Sequence, residues 1–110
     1  MTADQFRRLA LELPEVEEKV HQSHPDFRLR NKIFATLGYP DPLHGMVKLT
    51  TQQQAQAMSA AADAFRPAAG AWGRKGSTVV VLSRVTAKEL KPILRQAYEA
   101  ISQDRLKRPR

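Results

Sequence analysis

Between Phe65 and Leu82 the chain must change conformation sharply and then enter a core. Pro67 breaks whatever precedes it, and Gly70, Gly73 and Gly76 recur at every third position. Glycine accepts backbone angles that other residues resist, so this spacing reads as a loop. Val79-Val80-Val81-Leu82 follows without a polar residue and reads as a strand buried on both faces. The order helix, glycine loop, strand excludes two phosphate-binding designs. A Walker A loop ends in Gly-Lys-Ser/Thr and opens a helix, and a dinucleotide fingerprint has its strand before the glycines. What remains is a flexible loop that carries Arg74 and Lys75 against a core strand. Trp72, the sole tryptophan, is expected to plug the rim of that core.

The flanking sequence supplies the rest of an α+β domain. Thr2-Ala3-Asp4-Gln5 is a capping box, and Phe6, Leu9, Ala10 and Leu13 share one face of the helix it opens, which Pro14 closes. After the acidic connector Glu15-Val16-Glu17-Glu18, the period shortens to two. Lys19 to Ser23 reads as a strand, His24-Pro25 as a turn, and Phe27 and Leu29 face away from Asp26, Arg28 and Arg30. Asn31-Lys32 reads as a tight turn into Ile33 to Leu37, with Ile33, Ala35 and Leu37 on a shared face. Gly38 to Gly45 is a loop, and Met46 to Leu49 a strand that turns Lys48 away from Val47 and Leu49. These strands form an antiparallel meander.

Thr51 is expected to cap a helix to about Asp63 that presents Ala55, Met58, Ala62 and Phe65. Thr86-Ala87-Lys88-Glu89 is a second capping box, opening the most amphipathic helix of the chain. Its apolar face is Leu90, Ile93, Leu94, Ala97, Tyr98 and Ile101. Pro92 lies past the first turn, where a missing amide predicts a kink or a restart near Lys91. The predicted order is α-β-β-β-β-α-β-α, a two-layer single domain with a mostly antiparallel sheet packed against helices, over residues 1–104, followed by a basic tail at 105–110.

A chain of 110 residues can bury such a core without staples. Having no cysteine, it has no disulfide framework, which fits a reducing cytoplasm, and no apolar run reaches the roughly 20 residues that span a bilayer. The formal charge of +7 points to an anionic partner. Arg105, Lys107, Arg108 and Arg110 hold more than half of it, so the tail alone can account for much of that attraction.

Chemistry-bearing clusters are sparse. His21, His24 and His44 do not make a metal set: on a strand the first two face opposite sides, and no cysteine completes a tetrad. Glu15, Glu17 and Glu18 read as solvated connector residues. No serine or threonine sits in a nucleophile elbow, so neither a catalytic residue nor a cofactor is expected. Basic residues of the body are more informative. Arg28, Arg30 and Lys48 belong to the polar face of a sheet, and Arg74-Lys75 lies beside it. Lys88, Lys91 and Arg95 recur on the outer face of the last helix.

In order along the chain, Leu13-Pro14-Glu15-Val16-Glu17, Lys32-Ile33-Phe34-Ala35, Lys48-Leu49, Phe65-Arg66-Pro67, Trp72-Gly73-Arg74 and Ala97-Tyr98 resemble the MmcQ/YjbR family of small bacterial proteins. The resemblance runs from about Phe6 to Ile101. It implies a two-layer α/β domain and a DNA-binding role tied to a double-wing arrangement of hairpins, and it marks Lys32, Lys48 and Trp72-Gly73-Arg74 as family-like positions. The leading expectation is therefore a non-enzymatic bacterial cytoplasmic protein that binds nucleic acid, DNA favoured, without sequence preference, through Arg28, Arg30, Lys32, Lys48, Arg74, Lys75 and the tail. Two alternatives stand beside it. One is a protein-interaction module with an apolar patch around Phe34, Met46 or Trp72; the other is a small-anion or nucleotide binder at Gly70 to Gly76. Oligomeric state is open.

Overall fold

The structure, a computed structural model, describes residues 1–107, with side chains through Gln103. Arg108 and Arg110 of the basic tail lie outside the described residues. The elements run α1 (Ala3–Leu11), β1 (Glu17–His21), β2 (His24–Leu29), β3 (Lys32–Leu37), β4 (His44–Lys48), α2 (Thr51–Ala60), β5 (Phe65–Pro67), α3 (Gly70–Arg74), β6 (Ser77–Val81) and α4 (Ala87–Lys107). Helix α4 thus continues past the 104 boundary drawn from sequence. Among the described residues no helix is long and apolar enough to cross a membrane.

All strands join one antiparallel sheet in the order β1-β2-β3-β4-β6-β5, so the first four form the expected meander. Its register fixes two rows, one residue apart. Glu18, Phe27, Ala35, Val47, Thr78 and Pro67 lie side by side across the six strands. The central four of these are 0–2% exposed, and they face the helices. Phe6 of α1 packs on Phe27 with tilted rings 6.0 Å apart, and Tyr98 of α4 meets Phe34 edge-on at 6.0 Å. The other row is Lys19, Asp26, Thr36, Met46, Val79 and Arg66, on the opposite face.

Local chemistry explains most boundaries. Both predicted capping boxes form: Thr2 with Gln5, and Thr86 with Glu89. Helix α2 is capped by Thr50 through Gln53 rather than by Thr51. Its inward residues are Gln54, Ala57 and, in part, Met58 and Ala61, whereas Ala55 and Ala62 are exposed, contrary to the predicted face. The turn between β1 and β2 is Gln22-Ser23, both at positive φ, so His24-Pro25 opens a strand and is not a turn. Similarly Arg30-Asn31, both at positive φ, form the next turn and Lys32 already belongs to β3.

Three further expectations give way to packing. The β2–β3 register slips between Phe27 and Arg28, leaving Phe34 with no residue opposite it. Such a bulge places two successive side chains inward, and Phe34 and Ala35 are both buried while Ile33 is only half-buried. Helix α4 runs through Pro92, which is exposed, as one element and does not restart near Lys91. Its predicted face is met: Leu90, Ile93, Leu94 and Ala97 are buried and Tyr98 and Ile101 partly so. The third concerns the glycine segment, which is ordered into β5 and α3.

Candidate functional site

The glycines of this segment serve close approach. A Cβ at Gly73 would run into the Ala68 backbone, and one at Gly76, where φ is +116°, into the Leu49 carbonyl. Helix α3 is therefore pressed against the strand that leads into it. Gln54 of α2 secures it, donating from Nε2 to the carbonyls of Gly73 and Ser77, both at 3.0 Å. The amides of Lys75 and Gly76 are used inside the turn, by the Ala71 and Trp72 carbonyls and by the Gly73 carbonyl. Those two amides are therefore not available to a phosphate.

Trp72 does not plug the core. It is 61% exposed and stands at the edge of the open sheet face. There it walls a cup of about 440 Å³ whose other residues include His21, Thr36, Met46, Lys48, Lys75 and Ser77. Beside the cup runs a larger groove of about 940 Å³ between the ends of β3 and β4, the start of α2 and the later turns of α4. Lys32, Lys48 and Lys75 all line it. Lys48 and Lys75 border both depressions, so the two share a wall.

The six predicted cations divide by position. Lys32, Lys48 and Lys75 come from three elements into one groove. Arg28, by contrast, is committed inside the protein. Its side chain is 17% exposed, and it donates from Nε and Nη2 to the two oxygens of Asp26 at 2.7 and 3.0 Å and from Nη1 to Asn31 at 3.1 Å. The hydrogen bond to Asp26 raises the guanidinium pKa, the charges of Asp26 and Glu17 add to this, and burial opposes it. Arg30 in the β2–β3 turn lies 3.6 Å from Glu15, both exposed, a pair worth little. Arg74 is exposed on α3 but lines neither depression.

Two features escaped the sequence reading. Gln54 looked like one more polar residue of a glutamine-rich helix. Arg66, exposed on β5, donates to His44 Nε2 at 3.3 Å, and His44 Nδ1 lies 2.7 Å from Asp41 Oδ1. The second arrangement joins residues whose pairing depends on β5 lying two strands from β4, which no local pattern reveals. Among the described residues no group of three or more histidines and carboxylates is placed to hold a metal. Of the residues proposed for an apolar patch, Phe34 is buried, Met46 half-buried and Trp72 exposed.

A solved structure, the Deinococcus radiodurans protein DR2400 with a DUF419 domain, superposes with a TM-score of 0.72 at 22% identity, over 92% of this chain and 78% of that one. At that identity the likeness speaks for the fold. Among curated proteins no relative matches. The YjbR family model matches residues 11–100, which takes in the meander, the α3 segment and most of α4. The chain belongs to the YjbR family.

Proposed function

We propose that this chain is a non-enzymatic nucleic-acid-binding protein of the bacterial cytoplasm, holding phosphates with Lys32, Lys48 and Lys75 and reading little base sequence. The observation that carries this is the meeting of those three lysines, from β3, β4 and the end of α3, along one groove of about 940 Å³. Ammonium groups so placed attract a line of phosphates and contact no base edge, which favours affinity without sequence choice. Arg74 and the tail would strengthen encounter from outside the groove. Arg28 and Arg30 drop out of the contact set, Arg28 because its hydrogen bonds are spent on Asp26 and Asn31.

The test is fluorescence anisotropy of a labelled oligonucleotide across a salt series. Lys48→Ala/Lys75→Ala is expected to weaken binding and to lower the salt slope by about 1.4 for a single strand, two contacts at roughly 0.7 each. A chain ending at Asp104 is expected to retain the slope contributed by the groove. Binding that disappears with the tail, or that ignores salt, would remove the groove from the explanation.

A protein partner is the second reading, and β1 favours it. That strand forms one edge of the sheet, all five residues are exposed, and Val20 is 70% exposed. An uncovered edge can accept another strand. A Val20→Pro variant would block such pairing, so partner recovery that is unchanged by it counts against this reading.

A further inference from the structure

The cup beside the groove is built unlike a phosphate site. Its wall is an indole, Met46 and Thr36 line it, and its only ammonium groups are the two it shares with the groove, Lys48 and Lys75. A tryptophan 61% exposed forgoes most of the burial that usually holds this side chain in place. Here its support is rigid all the same. Gly73 lets α3 sit directly on Ala68, and the Gln54 amide fastens the Gly73 and Ser77 carbonyls at 3.0 Å. An aromatic face is thus held open on a short, braced helix, next to a cavity of about 440 Å³, within the size range of sites for small flat molecules.

Resting on the nucleic-acid reading above, we propose that the cup takes one unpaired base of a single strand, stacked against Trp72, while the neighbouring phosphates lie on Lys48 and Lys75. Stacking explains the indole, and the shared lysines explain how base and backbone are held together. A duplex cannot satisfy this site, because its bases present only their edges and keep their faces against one another. The Thr36 and Ser77 hydroxyls at the cup each donate or accept, so they accommodate different bases and add no strong choice among them. The site therefore distinguishes single strand from duplex and leaves sequence largely unread.

Because Trp72 is the only tryptophan, its emission reports on this cup alone. The experiment titrates the full chain with a short single-stranded DNA, the same strand made of abasic nucleotides, the matching duplex, and a free nucleoside monophosphate. Anisotropy reads binding and Trp72 emission reads the cup. The base-bearing strand is expected to quench Trp72 and to bind roughly tenfold or more tighter than the abasic strand. Trp72→Ala should remove that advantage and leave the abasic strand unaffected, whereas Trp72→Phe should keep most of it.

Equal binding of abasic and base-bearing strands overturns the base site and leaves the phosphate groove standing. Equal affinity and equal quenching by the duplex overturns the single-strand preference, and so does a monophosphate that binds as tightly as the strand, which would make the cup a free-nucleotide site. If neither strand nor duplex binds at low salt, the nucleic-acid reading itself fails and takes the base site with it.

Discussion

The two faces of the sheet are written by alternate residues of the same strands, yet they obey different rules. On the covered face Phe27, Ala35, Val47 and Thr78 are buried, and the one hydroxyl among them is spent inside, Thr78 Oγ1 donating to the Gly76 carbonyl at 2.8 Å. The open face mixes Asp26, Thr36, Met46 and Val79 with Lys19 and Arg66 at the edges. Burial without a partner is costly for a polar group, so the covered face admits polarity only where it is satisfied. The open face has no such filter, and there Met46, Lys48 and Trp72 line the cup. The packed core and the proposed site at the cup are thereby separated by a single step in register.

The largest test of that separation compares one residue from each face. Phe27→Ala is expected to cost about 3–5 kcal/mol, since a fully buried ring leaves a cavity beneath Phe6. Met46→Ala, at a half-buried position lining the cup, is expected to cost under about 1 kcal/mol. Urea unfolding of both variants measures the difference. Equal costs would mean that the open face is also a packed core, and the site argument would lose its ground.

Asp26 sharpens the comparison as the charged residue buried on the open face, where Val79 is buried too. It is buried because Arg28 lies across it, and the two sides of that pair are unequal: Asp26 is 1% exposed and Arg28 17%. Removing Arg28 strands a carboxylate in the interior, whereas removing Asp26 leaves a long side chain that can swing into water. Arg28→Ala is therefore expected to destabilise more than Asp26→Ala. The reverse order in thermal or urea unfolding would contradict this account. Arg28 is bound to Asp26 and Asn31, partners that its charge alone did not reveal.

That pairing shows where legibility ended. Capping boxes at Thr2 and Thr86, the face of α4 and the meander follow from spacing of a few residues, and all were visible. The α2 cap fell to Thr50 and not Thr51, although each has a glutamine three residues on, because Gln54 is held by the Gly73 and Ser77 carbonyls and Gln53 is left for the box. The turn at Gln22-Ser23 carries neither glycine nor proline, so Pro25 drew attention to the wrong place. For the site, charge identified six cations, but which of them converge depends on the Phe34 bulge, the sheet order and the Asp26 partner. Lys32, Lys48 and Lys75 converge; Arg28, Arg30 and Arg74 do not.

Gly76 joins the two faces, since it lies next to Lys75 and hugs the end of β4. Gly76→Ala must move a Cβ away from the Leu49 carbonyl and hold a strained φ, at an expected cost of about 2 kcal/mol. To relieve the clash the α3–β6 junction has to lift, carrying Lys75 away from Lys48. The variant should therefore lose nucleic-acid affinity even at temperatures where it remains folded. A folded Gly76→Ala protein with unchanged binding would show that the two lysines do not act together.

The smallest effect expected is at the far end of the open face, where the polar contacts are exposed. Asp41 accepts from the Leu43 amide at 2.8 Å and its Oδ1 lies 2.7 Å from His44 Nδ1. The hydrogen bond with His44 is the main cause that holds its carboxyl below the usual range, with the Leu43 amide next, partial burial opposing, and the nearby Arg66 charge assisting. A carboxyl lowered on folding stabilises the fold above the ordinary value of about 3.9, and that contribution is lost as pH falls through the lowered value. Asp41→Asn keeps an oxygen for Leu43 and removes the charge. It should lower Tm slightly at pH 7, and the gap to the unaltered protein should close as the pH is taken from about 4 downward. A gap that stays constant over this range would assign the loss to turn geometry, leaving the open face with no electrostatic part in stability beyond Asp26 and Arg28.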